Sequence, residues 1–234
     1  MSVIIDKYTD KDIINGLKGL GIKYYMSTEL EFLYKPVCTH PDMQIHFVDR
    51  QTAIAAPSAY NYYKDVLPDG IILHRGYNDP GDKYPRDCAY NVARIGKRVV
   101  GNLKYVDPYI IEYYQKRNYY LINTKQGYTK CNLCIVDENS AITEDNGLYD
   151  TLRKSGIDVL YVPVGDIKMP PFEYGFIGGA SGKIDEKKLC FCGDILALSY
   201  CDSVVDFVNK RNIEIISLSK NILRDYGSIL WFEE

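Results

Sequence analysis

His40-Pro41-Asp42-Met43-Gln44-Ile45-His46-Phe47-Val48-Asp49-Arg50-Gln51-Thr52-Ala53-Ile54-Ala55-Ala56-Pro57 is the stretch that decides the fold. Gln44 to Val48 is β-prone, Asp49-Arg50-Gln51 is a polar turn, and Thr52 to Ala56 runs back, so the second half predicts a hairpin. The first half sets an imidazole and a carboxylate two residues apart at the mouth of that hairpin. The hairpin recurs along the chain and the His-x-Asp does not, which separates scaffold from candidate chemistry.

Working outward, Ser58 to Leu67 predicts a helix, Pro68-Asp69-Gly70 breaks it, and Ile71 to His74 is a returning strand. The order strand, turn, strand, helix, strand then repeats. A second unit has Asn91–Ile95, Gly96-Lys97-Arg98, Val99–Gly101, a helix over Tyr109–Arg117 behind Asp107-Pro108, and Tyr119–Ile122. A third has Cys131–Val136, Asp137-Glu138-Asn139, Ala141–Thr143, a helix over Asn146–Lys154 and Val159–Val162. A fourth has Gly179–Ile184, Asp185-Glu186-Lys187, Leu189–Cys192, a helix over Asp202–Lys210 and Ile213–Ile216. Val48, Ile95, Val136 and Ile184 close the first strands, at the spacing of about 40–50 residues typical of repeats.

The fifth unit is split between the ends. Ile229–Phe232 and Val3–Ile5 supply its hairpin, Asp10 caps a helix carrying Ile13, Ile14, Leu17 and Leu20, and Ile22–Met26 is its strand. The expectation is one α/β domain over residues 1–234: a five-fold pseudo-symmetric ββαβ propeller, closed by sharing the fifth unit between the termini.

Composition sets the bounds. The formal charge of −3, with both signs interspersed, argues against a nucleic-acid groove or a membrane-binding basic face. No apolar run approaches a membrane span, and the N-terminus lacks the basic and apolar regions of a signal peptide. Seven cysteines set in strand-like segments read as reduced thiols, and the expected location is the cytoplasm. The 22 tyrosines read as packing residues with wet hydroxyls.

A five-fold arrangement of ββαβ units resembles the pentein fold of guanidine-modifying enzymes, namely arginine deiminase, agmatine deiminase and dimethylarginine dimethylaminohydrolase, and a bacterial family of that fold. His40-Pro41-Asp42 matches their His-x-Asp, and Arg86-Asp87-Cys88 opens the next unit and offers Cys88. Tyr128-Thr129-Lys130-Cys131 falls where the family carries Arg-Asp, and Ile177-Gly178-Gly179 where it carries Glu-Gly-Gly. The cyclic order of these segments is the family's, cut at another place, with the remaining unit silent. The family's guanidinium-gripping Asp and Glu correspond to Cys131 and Ile177, so the two carboxylates that would hold an arginine-like cation are missing.

The resemblance implies Cys88 as nucleophile, His40 as general acid/base and Asp42 as its orienter, with Arg86, Cys131, Gly178 and Gly179 around a small-molecule ligand in the central channel. A histidine and Arg86 beside Cys88 would lower its thiol pKa. Each residue has a blander reading: Cys88 as a small buried hydrophobe, His40 as a loop residue before Pro41. His46 reads as a core or wall residue, His74 as the end of a returning strand, and the loop through Asp79-Pro80-Gly81-Asp82 as a lid or a linker.

No cofactor or metal is expected. Cys131 and Cys134 on one strand would point to opposite faces, which defeats a zinc site with Cys190 and Cys192. Gly178-Gly179-Ala180-Ser181-Gly182-Lys183 has neither the first Gly of a P-loop, Ile177 standing there, nor the Ser or Thr after Lys, Ile184 standing there; its glycines let the chain pass close to the centre. Two function classes stay open. One is a cysteine-dependent hydrolase or transferase acting on a guanidine-, amidine- or amide-type nitrogen compound. The other is a non-catalytic binding module of the same shape, as in the ribosome anti-association factor.

Overall fold

The computed structural model describes residues 1–234. Five three-stranded sheets form, and all have one topology. The hairpin stretch becomes β3 (Ile45–Phe47) and β4 (Thr52–Ala55), followed by α2 (Pro57–Val66) and β5 (Ile72–Arg75), after β1 (Ser2–Ile5), α1 (Lys11–Gly19) and β2 (Lys23–Met26). Next come β6 (Ala93–Ile95), β7 (Arg98–Gly101), α3 (Pro108–Gln115) and β8 (Tyr120–Asn123). The third unit adds α4 (Thr129–Asn132), β9 (Leu133–Asp137), β10 (Ser140–Thr143), α5 (Asn146–Lys154) and β11 (Asp158–Tyr161). The fourth is β12 (Ser181–Asp185), β13 (Lys188–Phe191), α6 (Cys201–Asn209) and β14 (Glu214–Ser217), and β15 (Leu230–Phe232) ends the chain.

In each sheet the first two strands are antiparallel and the helix returns the chain to a third, parallel strand. The expected split of the fifth unit holds: β15 pairs antiparallel with β1, Val3 opposite Trp231, and β1 pairs parallel with β2. Middle strands are buried along their length while third strands are half-exposed, so each sheet has an inner and an outer edge. First strands of successive units lie side by side, β6 by β9, β9 by β12 and β12 by β15. From β15 to the first unit, Phe47 stacks on Phe232 with ring centroids 5.3 Å apart.

Helix amphipathicity packs each helix on its own sheet. Ile13 and Leu17 of α1 and Leu148 and Leu152 of α5 are buried at i, i+4 spacing. Asp107 caps α3 by accepting from the Tyr109 N–H at 3.0 Å. Asp10 holds the N-cap position of α1 but bonds no backbone N–H with its side chain, and α2 starts at Pro57 behind Ala56, one residue ahead of the expected Ser58. The segments ahead of the first strands are also shorter in β than expected: Cys131 lies in the turn of α4, and β9 begins at Leu133. The Asn91 side chain explains this, its Oδ1 taking the N–H of Lys130 at 2.7 Å and of Cys131 at 3.2 Å.

All seven cysteines are free thiols. No helix is long and apolar enough to cross a membrane. Phe232 is fully buried, stacked on Phe47 and tilted against Tyr25. Phe232→Ala is expected to cost about 3–5 kcal/mol, read as a lowered midpoint with unchanged slope in urea unfolding.

Candidate functional site

The five segments that precede the first strands supply the polar residues of the interior. His40 precedes a single helical turn, Pro41–Met43, whose Asp42 is only 1% exposed. Asp42 Oδ2 accepts from the Ser228 hydroxyl at 2.8 Å and from the Cys131 thiol at 3.0 Å, while its Oδ1 has no partner. His40, Asp42 and Cys131 bring ring nitrogen, carboxylate oxygen and sulfur within 4.8 Å of one another, all buried. The Asn91 amide donates to Cys131 Sγ at 3.1 Å, so the sulfur is held from two sides.

The segment Asp225-Tyr226-Gly227-Ser228 locks this group. Gly227 holds φ +69°, and a Cβ there would run into the His40 side chain, so glycine is required for both reasons. Ser228 sits at φ 75°, a conformation that costs a non-glycine residue about 1 kcal/mol or more. In return its hydroxyl meets Asp42, the Gly178 carbonyl at 2.9 Å and Lys130 Nζ at 2.9 Å. Asp225 accepts from the Phe176 and Gly227 N–H groups and places Oδ1 at 3.9 Å from His40 Nδ1, which has no hydrogen-bond partner.

His40, Cys131 and Asp225 face a cavity of about 290 Å³, together with Tyr128 and Glu173. Met169, Phe172 and Phe176 give it an apolar wall. Burial raises the Cys131 thiol well above its usual range, and the Asp42 and Asp225 carboxylates push the same way. Burial also raises Asp42, against the opposing pull of His40 and Lys130. The resting sulfur is therefore a thiol, donating to Asp42. The donor set of His40, Asp42 and Cys131 could converge on a metal ion, yet the Cys131–Asp42 hydrogen bond and the Ser228 contact already use the sulfur and one carboxylate oxygen.

The residues expected from sequence separate into two places. His40, Asp42 and Cys131 come together. Cys88 sits outside that group and outside the cavity: its thiol donates to Asp87 Oδ1 at 3.2 Å, and burial followed by the Asp87 charge raises its pKa. That reverses the expected lowering by a neighbouring imidazole and Arg86, because Arg86 is exposed and lines neither this cavity nor the one between the first strands. Asp87 is instead shared with the Tyr128 hydroxyl at 2.6 Å.

Gly178 and Gly179 are packing residues. A Cβ on Gly178 would strike the Lys130 and Cys131 carbonyls, one on Gly179 the Asp225 carboxylate, and the Gly179 N–H donates to the Cys131 carbonyl at 2.8 Å. His46 is buried and pairs with the Tyr114 hydroxyl at 2.7 Å, while His74 meets Tyr109 on the outer strand β5. The zinc reading fails for a different reason than strand alternation, since Cys131 is in a helical turn. Cys134 lies in one core cluster, and Cys190 and Cys192 in another. The loop 78–87 does not line the cavity, whereas residues 169–176 do.

Asp225, Ser228, Glu173 and Glu144 went unread in the sequence, and Lys130 was read only as the residue ahead of Cys131. The signal for the first two was register: Asp225-Tyr226-Gly227-Ser228 precedes β15 as His40-Pro41-Asp42 precedes β3. Glu144 supports the site from behind by accepting the Ile177 N–H at 2.9 Å, ahead of Gly178.

The comparisons follow this geometry. The chain has the fold of the pentein superfamily. It overlays an amidinotransferase of saxitoxin biosynthesis, SxtG from Microseira wollei, with a TM-score of 0.55 at 12% identity, over 93% of this chain and 88% of that one. It overlays DDAH from Pseudomonas aeruginosa, solved with citrulline, with a TM-score of 0.58 at 7% identity, over 93% and 91%. Agmatine deiminase from C. jejuni gives 0.53 at 12% identity, over 100% and 81%. These likenesses establish the fold alone. By sequence, the chain belongs over residues 4–230 to a family described as "Family of unknown function (DUF6873)". No curated protein matches it.

Burial raises the Glu144 carboxyl to about 8, against the opposing Ile177 N–H. A carboxyl raised on folding stabilises the protein fully below its unfolded pKa of about 4.3, and that stability is lost as pH rises through about 8. Glu144→Gln is expected to flatten the fall in urea-unfolding stability across that window.

Proposed function

We propose that the protein is a cysteine-dependent hydrolase or transferase acting on a C–N bond of a small amidine-, guanidine- or amide-type compound, with Cys131 as nucleophile in the place expected for Cys88. The observation that carries this reading is the convergence of His40, Asp42 and Cys131 within 4.8 Å, with His40 and Cys131 at the wall of a small cavity. The five sheets and their side-by-side first strands support a closed five-fold propeller of one domain, in which these segments meet near the axis. An intracellular setting fits the seven free thiols.

The chemistry follows from the charges. Beside Asp42 and Asp225 the thiol resists ionisation until a cation enters. An amidinium held by Asp225 and Glu173 would offset that negative field and favour the thiolate. The Cys131 proton passes to His40, the sulfur adds to the ligand's central carbon, and the C–N bond breaks as His40 returns the proton to the departing amine. Water, or an acceptor amine in a transferase, then displaces sulfur and restores the thiol. Asp42 orients Cys131 through the 3.0 Å hydrogen bond, a different partner from the histidine it was expected to orient.

A second reading, a non-catalytic binding module, draws on the same protonated thiol. Two electrophiles of similar size separate the readings, cationic 2-chloroacetamidine and neutral 2-chloroacetamide, with labelling of all seven cysteines followed by mass spectrometry. The cationic probe is expected to label Cys131 at least tenfold faster, with the preference lost in Asp225→Asn and labelling slowed in His40→Ala. An unlabelled Cys131, or one showing no preference between the probes, would leave the binding module.

A further inference from the structure

The first strand of every unit also contributes to the wall of a second cavity, of about 120 Å³, distinct from the one that His40 faces. Its charged lining is Arg50, Arg94, Lys130 and Lys183 against Asp42 and Asp49. Asp42 Oδ2 is engaged by Ser228 and Cys131, its Oδ1 is unpartnered, and Asp49 accepts from the Gln51 N–H at 2.9 Å. A chain with a formal charge of −3 thus gathers four cations around one small space.

The cations, all half-buried, divide by partner. Arg50 and Lys183 share the carboxylate of Glu186, each at 3.4 Å, and Glu186 is itself exposed, so this end opens to solvent. Arg50 also sits over Trp231, its guanidinium carbon 3.3 Å from the ring centroid. Arg94 and Lys130 make no ion pair. Arg94 spends one donor on the Gly96 carbonyl at 3.4 Å, and Lys130 one on Ser228. A guanidinium has five donors and an ammonium three, so most of their capacity is unspent. His46 on the same wall is held neutral, its pKa pushed down to about 3 by burial and then by Arg94 and Lys130. Burial is the larger cause, and the two cations push the same way.

We propose that this cavity is a binding site for a small tetrahedral oxyanion of the phosphate type, gripped by Arg94 and Lys130 and entered past Arg50 and Lys183. The volume suits an ion of that size. Arg94 supplies paired N–H donors and Lys130 a point charge, the two modes by which phosphate is held. Glu186 serves at the mouth as an internal anion that the ligand displaces.

The probes are inorganic phosphate and a compact phosphomonoester, methyl phosphate, compared with sodium chloride at matched ionic strength. Phosphate is expected to bind in calorimetry and to raise Tm with concentration, as linkage requires, while chloride does neither. Binding of phosphate but not methyl phosphate assigns the free ion, and binding of both assigns the phosphoryl group. Arg94→Met keeps the side-chain stem and is expected to weaken phosphate binding at least tenfold, with Arg94→Lys intermediate. In low-salt buffer without phosphate, Arg94→Met is expected to leave Tm unchanged or higher, because it relieves repulsion among the cations. Equal stabilisation by chloride, or an unaltered phosphate response in Arg94→Met, overturns the proposal. Chloroacetamidine labelling of Cys131 is read separately, so failure of the oxyanion site and failure of the catalytic reading are distinguishable.

Discussion

The Asp42 carboxylate is the constraint on which the interior depends. A carboxylate this deeply buried costs several kcal/mol unless it is hydrogen-bonded, and its partners are Cys131 from the third unit and Ser228 from the end of the chain. Those partners drag their segments with them. Ser228 accepts a left-handed backbone to reach Asp42, Gly227 loses its side chain to make room for His40, and Gly178 and Gly179 lose theirs to pass Cys131 and Asp225. Four of the five pre-strand segments are thus fixed by one another, and the fifth joins through Asn91, which bonds both the backbone and the sulfur of Cys131.

This explains why the scaffold was legible and the site only partly so. Hairpin, helix and returning strand are local, each written in a period of two or of 3.6 and closed by a turn signal. The division of the fifth unit between Ile229–Phe232 and Val3–Ile5 could be read because it repeats the same pattern. His40 and Asp42 were legible because an imidazole and a carboxylate two residues apart occur at one hairpin only. The choice between Cys88 and Cys131 was not local. Both are buried cysteines ahead of a first strand, and what separates them is which carboxylate each meets: Asp87 for Cys88, Asp42 for Cys131. Motif order favours Cys88 because it counts segments without their depth, and it is Cys131 that meets Asp42.

The same limit applied to Asp225. Two carboxylates seemed lost because Cys131 and Ile177 stand where the resemblance puts Asp and Glu. The acidic groups facing the cavity come instead from the segment once read as silent and from residues 169–176. A carboxylate's position in a cavity is set by distance in space, and several routes along the chain reach the same spot.

Lys130 and Cys131 show how the fold divides its interior. They are neighbours in the turn of α4, yet Cys131 faces the cavity with His40 and Lys130 faces the space between the first strands. Ser228 joins the two, accepting from Lys130 while donating to Asp42, which in turn accepts from the thiol. Three hydrogen bonds therefore link the two sides. Burial raises the Asp42 pKa and His40 and Lys130 oppose it, while the Asp42 charge adds to the burial that raises the Cys131 thiol. An anion that neutralised Lys130 would let Asp42 hold a proton of its own, and the sulfur would lose the neighbour that most opposes its ionisation. On the proposed function, a cation in one cavity and an anion in the other would then act on the thiol in the same direction.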